Sequence, residues 1–403
     1  MLAYLIFRKF SQGYHPSLNA SDHSRLGHNF SKQIIAMALG VIVLSATLAS
    51  CSNQGSPSKP VAISVRIGKN HPILFGIIPG GTSTSDLTDL HLLDGGKTML
   101  VHIYEAWNNH YGTNPPWLRS LTNEISVYSK RNLKLEIVLR YMSQSGNVMG
   151  YTNFVRDFVD ILSKFKAVRS LQITNEANSP LNAQASDGAF PNANQALVSA
   201  VQAAHAEIAR IHSKIQLGFN AAYEPIALLG DWYKSLNQLS LADSSGRESL
   251  ASQINWVGID LYPGTYFPPL ASANNRTAFE SSATKTVINA LNQLRTQAMP
   301  QGEFSKKIQI EITEIGYATS VRWSHTSTDQ NLALEGFLKA ACDVHVQDNL
   351  STFEFFDLQD AKQPSAYLSP TALHLPWRFG LVTYDNARKP AFTTYHNLID
   401  KGC

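Results

Sequence analysis

One rhythm constrains this chain more than any other feature. From residue 73 onward, short apolar or β-branched runs alternate eight times with longer segments of helical spacing. The runs are Ile73–Ile78, Thr98–Trp107, Leu133–Met142, Ser170–Glu176, Ile215–Ala221, Ile254–Pro263, Lys307–Tyr317 and Ser351–Asp360. Between them, Asn153–Phe165 carries Phe154, Phe158, Ile161, Leu162 and Phe165 on one helical face. Gln195–Ser213 does the same with Val198, Val201, Ile208 and Ile211, and Thr286–Met299 and Asn331–Val346 are two further helices. These stripes are core-facing. Eight βα units predict a single-domain α/β fold, the (β/α)₈ barrel (TIM barrel). Helix-to-strand connections are short, as in Ala167–Ser170 and His212–Lys214. Segments after runs four, six and eight are long and rich in Pro, Asn, Gly and aromatics, where such barrels build their active face. A doubly wound open sheet is the competing fold. Its first turn would carry a glycine-rich nucleotide fingerprint, and here that turn offers only Gly80 and Gly81.

Two glutamates carry the chemistry. Run four ends Thr174-Asn175-Glu176, and run seven ends Thr313-Glu314 before Ile315-Gly316-Tyr317. In a barrel, the ends of strands four and seven face each other across the cavity. Retaining glycoside hydrolysis requires two such carboxyls, about 5–5.5 Å apart, one protonated and one ionised. Glu311 competes for the second role, but on a regular strand it faces the other way from Glu314 and sits deeper. Strict alternation groups Glu314 with Ile308, Ile310 and Ile312, so parity alone assigns neither glutamate to the interior.

These residues resemble those of the clan A glycoside hydrolases, retaining (β/α)₈ enzymes with an Asn-Glu pair ending strand four and a second Glu ending strand seven. The resemblance spans roughly Ile73 to Ile399. It implies Glu176 as acid/base, Glu314 as nucleophile and Asn175 as ligand of the sugar 2-hydroxyl. It also implies that Tyr262, ending strand six, hydrogen-bonds the nucleophile. It requires no metal and no organic cofactor. An Arg common on the clan's strand two is missing; His102 stands there, and Arg140 comes from strand three.

Other polar groups at strand ends read as site-forming in this fold: Tyr104 on strand two, Arg140 on three, Asn220 on five and Asp357 on eight. Sugar rings pack their C–H faces on aromatic rings, and Trp107 and Trp377 are the expected platforms. The expected partner is a β-linked poly- or oligosaccharide, bound by a monomer. A carbohydrate-binding surface protein without turnover, or a transglycosylase using the same residues, would fit the same pattern.

The N-terminus reads as an address. Ile34–Leu48 is uncharged and shorter than the roughly 20 residues a spanning helix needs. Leu48-Ala49-Ser50-Cys51 resembles a bacterial lipobox, which implies lipid on Cys51 and a protein exported to the cell envelope. A signal cut near Ala49, giving a secreted protein, and an uncleaved anchor are the other outcomes. This divides the chain into a leader (1–50), a flexible tether (51–65) and a barrel (66–403), with membrane contact through the lipid only. Export favours a disulfide between Cys342 and Cys403 over two free thiols, and cysteine spacing offers no metal motif.

Charge fits this division. The net charge of the 403 residues is +3, and residues 1–50 hold Arg8, Lys9, Arg25 and Lys32 against Asp22 alone. The rest is formally neutral, which gives no footprint for nucleic acid.

Overall fold

The computed structural model describes residues 72–109, 115–180, 183–242, 248–272, 275–319, 324–361 and 378–403. The leader, the tether, Cys51 and Trp377 lie outside the described residues. Among the described residues, the strands and the longer helices alternate. They are β1 (Leu74–Ile77), α1 (Thr84–Asp94), β2 (Leu100–Trp107), α2 (Pro115–Ser129), β3 (Lys134–Tyr141), α3 (Val148–Leu162), β4 (Val168–Ile173) and α4 (Ala193–Arg210). After them come β5 (Gln216–Ala222), α5 (Ile226–Ala242), β6 (Trp256–Leu261), α6 (Arg276–Gln293), β7 (Gln309–Ile315), α7 (Ser327–Asp348), β8 (Leu350–Phe355) and α8 (Pro390–Lys401). Each strand pairs in parallel with the next, and β1 closes on β8 through Leu74↔Thr352 to Ile77↔Phe355. The fold is the (β/α)₈ barrel.

Helix boundaries follow local chemistry. A capping box of Ser83 and Asp86 starts α1, and Gly95 ends it at φ 55°, a conformation glycine adopts without steric cost. Thr326 and Asp329 form the same box at α7. The helix expected from Thr286 starts ten residues earlier, because the Asn275 side chain accepts from Ala278 N–H and caps α6 there. Cys342 on α7 and the terminal Cys403 are bonded, their Cα atoms 5.3 Å apart.

The core lies between strands and helices. Val101 and Ile103 of β2, Leu135, Ile137 and Leu139 of β3, Leu217 and Phe219 of β5, and Val257 and Ile259 of β6 all join one buried apolar cluster with the helix faces. Alternation turns the intervening residues into the barrel lumen. There the chain is polar: His102, Glu136, Gln172, Asn220, Asp260, Glu311, Thr313 and Glu354 are buried. Trp256 is the large apolar filler, and it fits because Gly218 faces it; a Cβ at Gly218 would stand 2.2 Å from the indole.

Candidate active site

Backbone irregularities aim both glutamates. β4 stops at Ile173, and Thr174 (φ 63°) and Glu176 (φ 48°) take left-handed conformations that cost a non-glycine residue roughly 1–2 kcal/mol. The cost is offset by contacts that fix the turn. Glu176 N–H donates to Asn220 Oδ1 at 2.8 Å, and Asn175 N–H donates to Asp187 Oδ2 at 2.8 Å. In β7 the pairing jumps from Ile259↔Ile312 to Asp260↔Glu314, so Thr313 has no partner of its own. This bulge shifts Glu314 out of the outward parity of Ile310 and Ile312.

The two carboxyls have different surroundings. Glu314 accepts hydrogen bonds from both Tyr104 and Tyr262, one on each oxygen. Glu176 accepts one hydrogen bond from Ser186. Burial first, then the charge of Glu314, pushes its pKa up to about 8, against opposing contributions from Ser186 and Arg140. Glu176 thus favours its protonated form at neutral pH.

A third carboxyl shares the pocket. Asp260 is 2% exposed and accepts from Asn220 Nδ2 at 2.7 Å and Thr313 Oγ1 at 2.6 Å. Burial, then the charges of Glu314 and Glu176, hold its pKa well above the usual range. Its interaction with Glu176 works, like that of Ser186, against the rise of the Glu176 pKa. Tyr266 stands near enough that both glutamate charges add to burial in retaining its phenol proton. The sequence singled out neither Asp260 nor Ser186, because lumen and loop polar residues carry no periodic signal.

The other expected site residues divide. Tyr104 and Tyr262 reach Glu314, as described. The Asn175 side chain is buried and committed to the protein: Nδ2 donates to Ala185 O at 2.8 Å, and Oδ1 accepts from Asn220 at 2.9 Å and Gln172 at 3.2 Å. Asn220, expected as a ligand, is fully buried and acts instead as a brace linking Asn175, Glu176 and Asp260. Arg140, expected as a ligand, is likewise engaged within the protein. Its Nε donates to Asp187 Oδ1 at 3.0 Å and its Nη1 to Gln184 O at 2.6 Å, so it holds the β4–α4 loop. Asp187 in turn accepts from the N–H groups of Tyr141 and Asn175, tying β3 to β4. Trp107, expected as a sugar platform, is 5% exposed and stacked on Tyr141 with ring centroids 6.1 Å apart. It also packs on Tyr151 and Phe154, because the end of β2 turns its ring toward α3 rather than the pocket. Asp357 is half-buried after β8, within the field of Glu314 and of the Lys389–Asp360 pair. Glu311 lies deeper in the lumen, 3.7 Å from Arg169.

Solved structures share this architecture. A β-glucosidase from Thermotoga maritima in complex with castanospermine aligns with a TM-score of 0.56 at 12% identity, over 83% of this chain and 99% of that one. A GH5_18 variant from Bifidobacterium longum subsp. longum in complex with Manb1-4GlcNAc gives 0.56 at 14%, over 82% and 78%. A β-glucosidase from Exiguobacterium marinum gives 0.55 at 13%, over 79% and 86%. These neighbours are clan A (β/α)₈ glycosidases. At such identities the likeness is one of fold. No family model matches the sequence, and no curated protein does.

Proposed function

We propose that this chain is a retaining glycoside hydrolase acting on β-linked poly- or oligosaccharides. The observation that carries the reading is the unequal treatment of two strand-end carboxyls. Glu314 accepts a hydrogen bond from a tyrosine hydroxyl on each oxygen, as suits an oriented nucleophile, whereas burial and the charge of Glu314 keep Glu176 protonated at neutral pH.

The chemistry follows from that division. The Glu314 carboxylate attacks the anomeric carbon while Glu176 gives its proton to the departing glycosidic oxygen, leaving a covalent glycosyl-enzyme. Glu176, now ionised, takes a proton from water, whose oxygen attacks the same carbon and releases Glu314. Loss of the sugar from Glu314 restores its negative charge, which again favours the protonated form of Glu176. Tyr104 and Tyr262 orient the nucleophile, and the Asn220–Asp260–Thr313 braces keep the two carboxyls in register.

Hydrolysis of a panel of aryl β-glycosides by Glu314→Gly in the presence of azide tests the reading. The expected product is an α-glycosyl azide, with negligible turnover without azide. Wild-type-like hydrolysis by this variant would refute it. Export with lipid on Cys51 belongs to the same proposal; incorporation of labelled palmitate, abolished in Cys51→Ser, is the expected result, and unlabelled wild-type protein would refute it.

A further inference from the structure

Below the candidate pocket, the barrel lumen holds a second group of ionisable side chains that the proposed reaction does not use. His102 on β2 and Glu136 on β3 are direct cross-strand partners. Glu354 comes from β8, which lies beyond β1. It reaches across because β1 presents Gly76 at that level. A Cβ there would stand 2.6 Å from Glu354 Cγ, so the glycine leaves the space that the glutamate occupies.

His102 Nδ1 lies 3.0 Å from Glu354 Oε2 and 3.4 Å from Glu136 Oε1. One ligand atom from each residue falls within 4.8 Å of the others, and the three side chains are fully buried. Metal–ligand bonds of about 2.0–2.2 Å separate neighbouring ligand atoms by roughly 3–3.5 Å, the spacing of the two nitrogen–oxygen contacts.

Polar satisfaction is incomplete at this point. Neither oxygen of Glu136 meets a donor in full hydrogen-bond geometry, although the Ser170 hydroxyl interacts with that carboxyl, and Oε1 of Glu354 meets none, among the described residues. Charge is unbalanced as well. Among the described residues, Arg169 is a permanent cation of this layer, and it pairs with Glu311. Its charge also reaches Glu136 and Glu354, so one cation serves three buried carboxyls. Glu354 has the His102 contact on one oxygen only, and buried carboxyls so poorly supplied with donors are costly unless a proton or a cation compensates them.

We infer that His102, Glu136 and Glu354 form a structural divalent-cation site in the barrel floor. An imidazole and two carboxylates suit zinc or manganese. One divalent ion balances the two carboxylates with His102 neutral. Coordination through Nδ1 places the ring proton on Nε2. The ion would tie β2, β3 and β8 together around the short strand β1. Because the ligands come from residues 102, 136 and 354, no local spacing in the sequence marks them.

The test uses the full chain without a histidine tag, independently of any glycosidase activity. Elemental analysis after exhaustive dialysis should find about one divalent metal per chain, falling below about 0.1 in Glu354→Gln. Protein unfolded with a chelator and refolded with Zn²⁺ or Mn²⁺ should melt higher than protein refolded without metal. Refolding with Co²⁺ should give visible absorption bands, lost in Glu354→Gln. Wild-type protein free of metal, with the same melting temperature after either refolding, would overturn the inference in favour of a proton shared by the two carboxyls. Undiminished metal content in Glu354→Gln would overturn it too, by placing the ion elsewhere.

Discussion

Ser186→Ala removes one hydroxyl from the carboxyl assigned as acid/base. In the wild type, Ser186 donates to Glu176 Oε2 and so favours the ionised form, while burial and the Glu314 charge favour the neutral one. The balance stands at about 8. A hydrogen bond to a charged group is worth about 1.5–3 kcal/mol, and one pKa unit corresponds to about 1.4 kcal/mol. Glu176 is half-buried, so water replaces part of the lost donor, and the expected upward shift is about one unit. The acid must be protonated to act, so kcat/KM falls as pH rises through this pKa. The assay is kcat/KM across the alkaline range on a β-glycoside with a poor leaving group, for which protonation limits the first step. The wild-type limb should bend near pH 8 and the variant's about one unit higher, with little change at neutral pH. A limb that stays in place or moves down would refute the claim that the Ser186 hydroxyl tunes Glu176.

Three further outcomes follow from the same contacts. Tyr262→Phe removes one of two donors on Glu314 and should lower kcat/KM by about 10²-fold with little change in melting temperature; an unchanged rate would count against the oriented nucleophile. Arg140→Met leaves Asp187 buried without its cation and should destabilise the fold by about 3–5 kcal/mol, read by denaturant unfolding; a change under about 1 kcal/mol would show that the pair does not hold the loop. Cys342→Ser opens a bridge that spans 61 residues and should cost roughly 4 kcal/mol by chain entropy, again read by unfolding; equal stability under oxidising conditions would refute that contribution.

The fold was legible because the outward faces of the strands are apolar and regular. Runs such as Ile308, Ile310 and Ile312 announce a strand whatever points inward. The lumen was not legible: Glu136, Gln172 and Glu354 alternate with those apolar residues, and nothing local says which polar groups meet. Glu176 and Glu314 stood out because they fall at strand ends, yet the bulge at Thr313 that re-aims Glu314 leaves no trace in composition. Asn220 and Arg140 show the limit of strand-end reasoning. Both lie at the expected level, but their partners, Asp260 and Asp187, turn them into braces beneath the site. Trp107 shows a second limit, since the side on which a strand's last residue falls depends on the aromatic neighbours waiting there, here Tyr141 and Tyr151.

The most direct test of the central claim is to trap the intermediate. The enzyme is incubated with the activated 2-deoxy-2-fluoro analogue of whichever aryl β-glycoside it hydrolyses, then digested and sequenced by mass spectrometry. The account predicts one fluoro-sugar per chain, esterified to Glu314. A label on Glu311 or Glu176, or unlabelled protein that still turns over the parent glycoside, would contradict it.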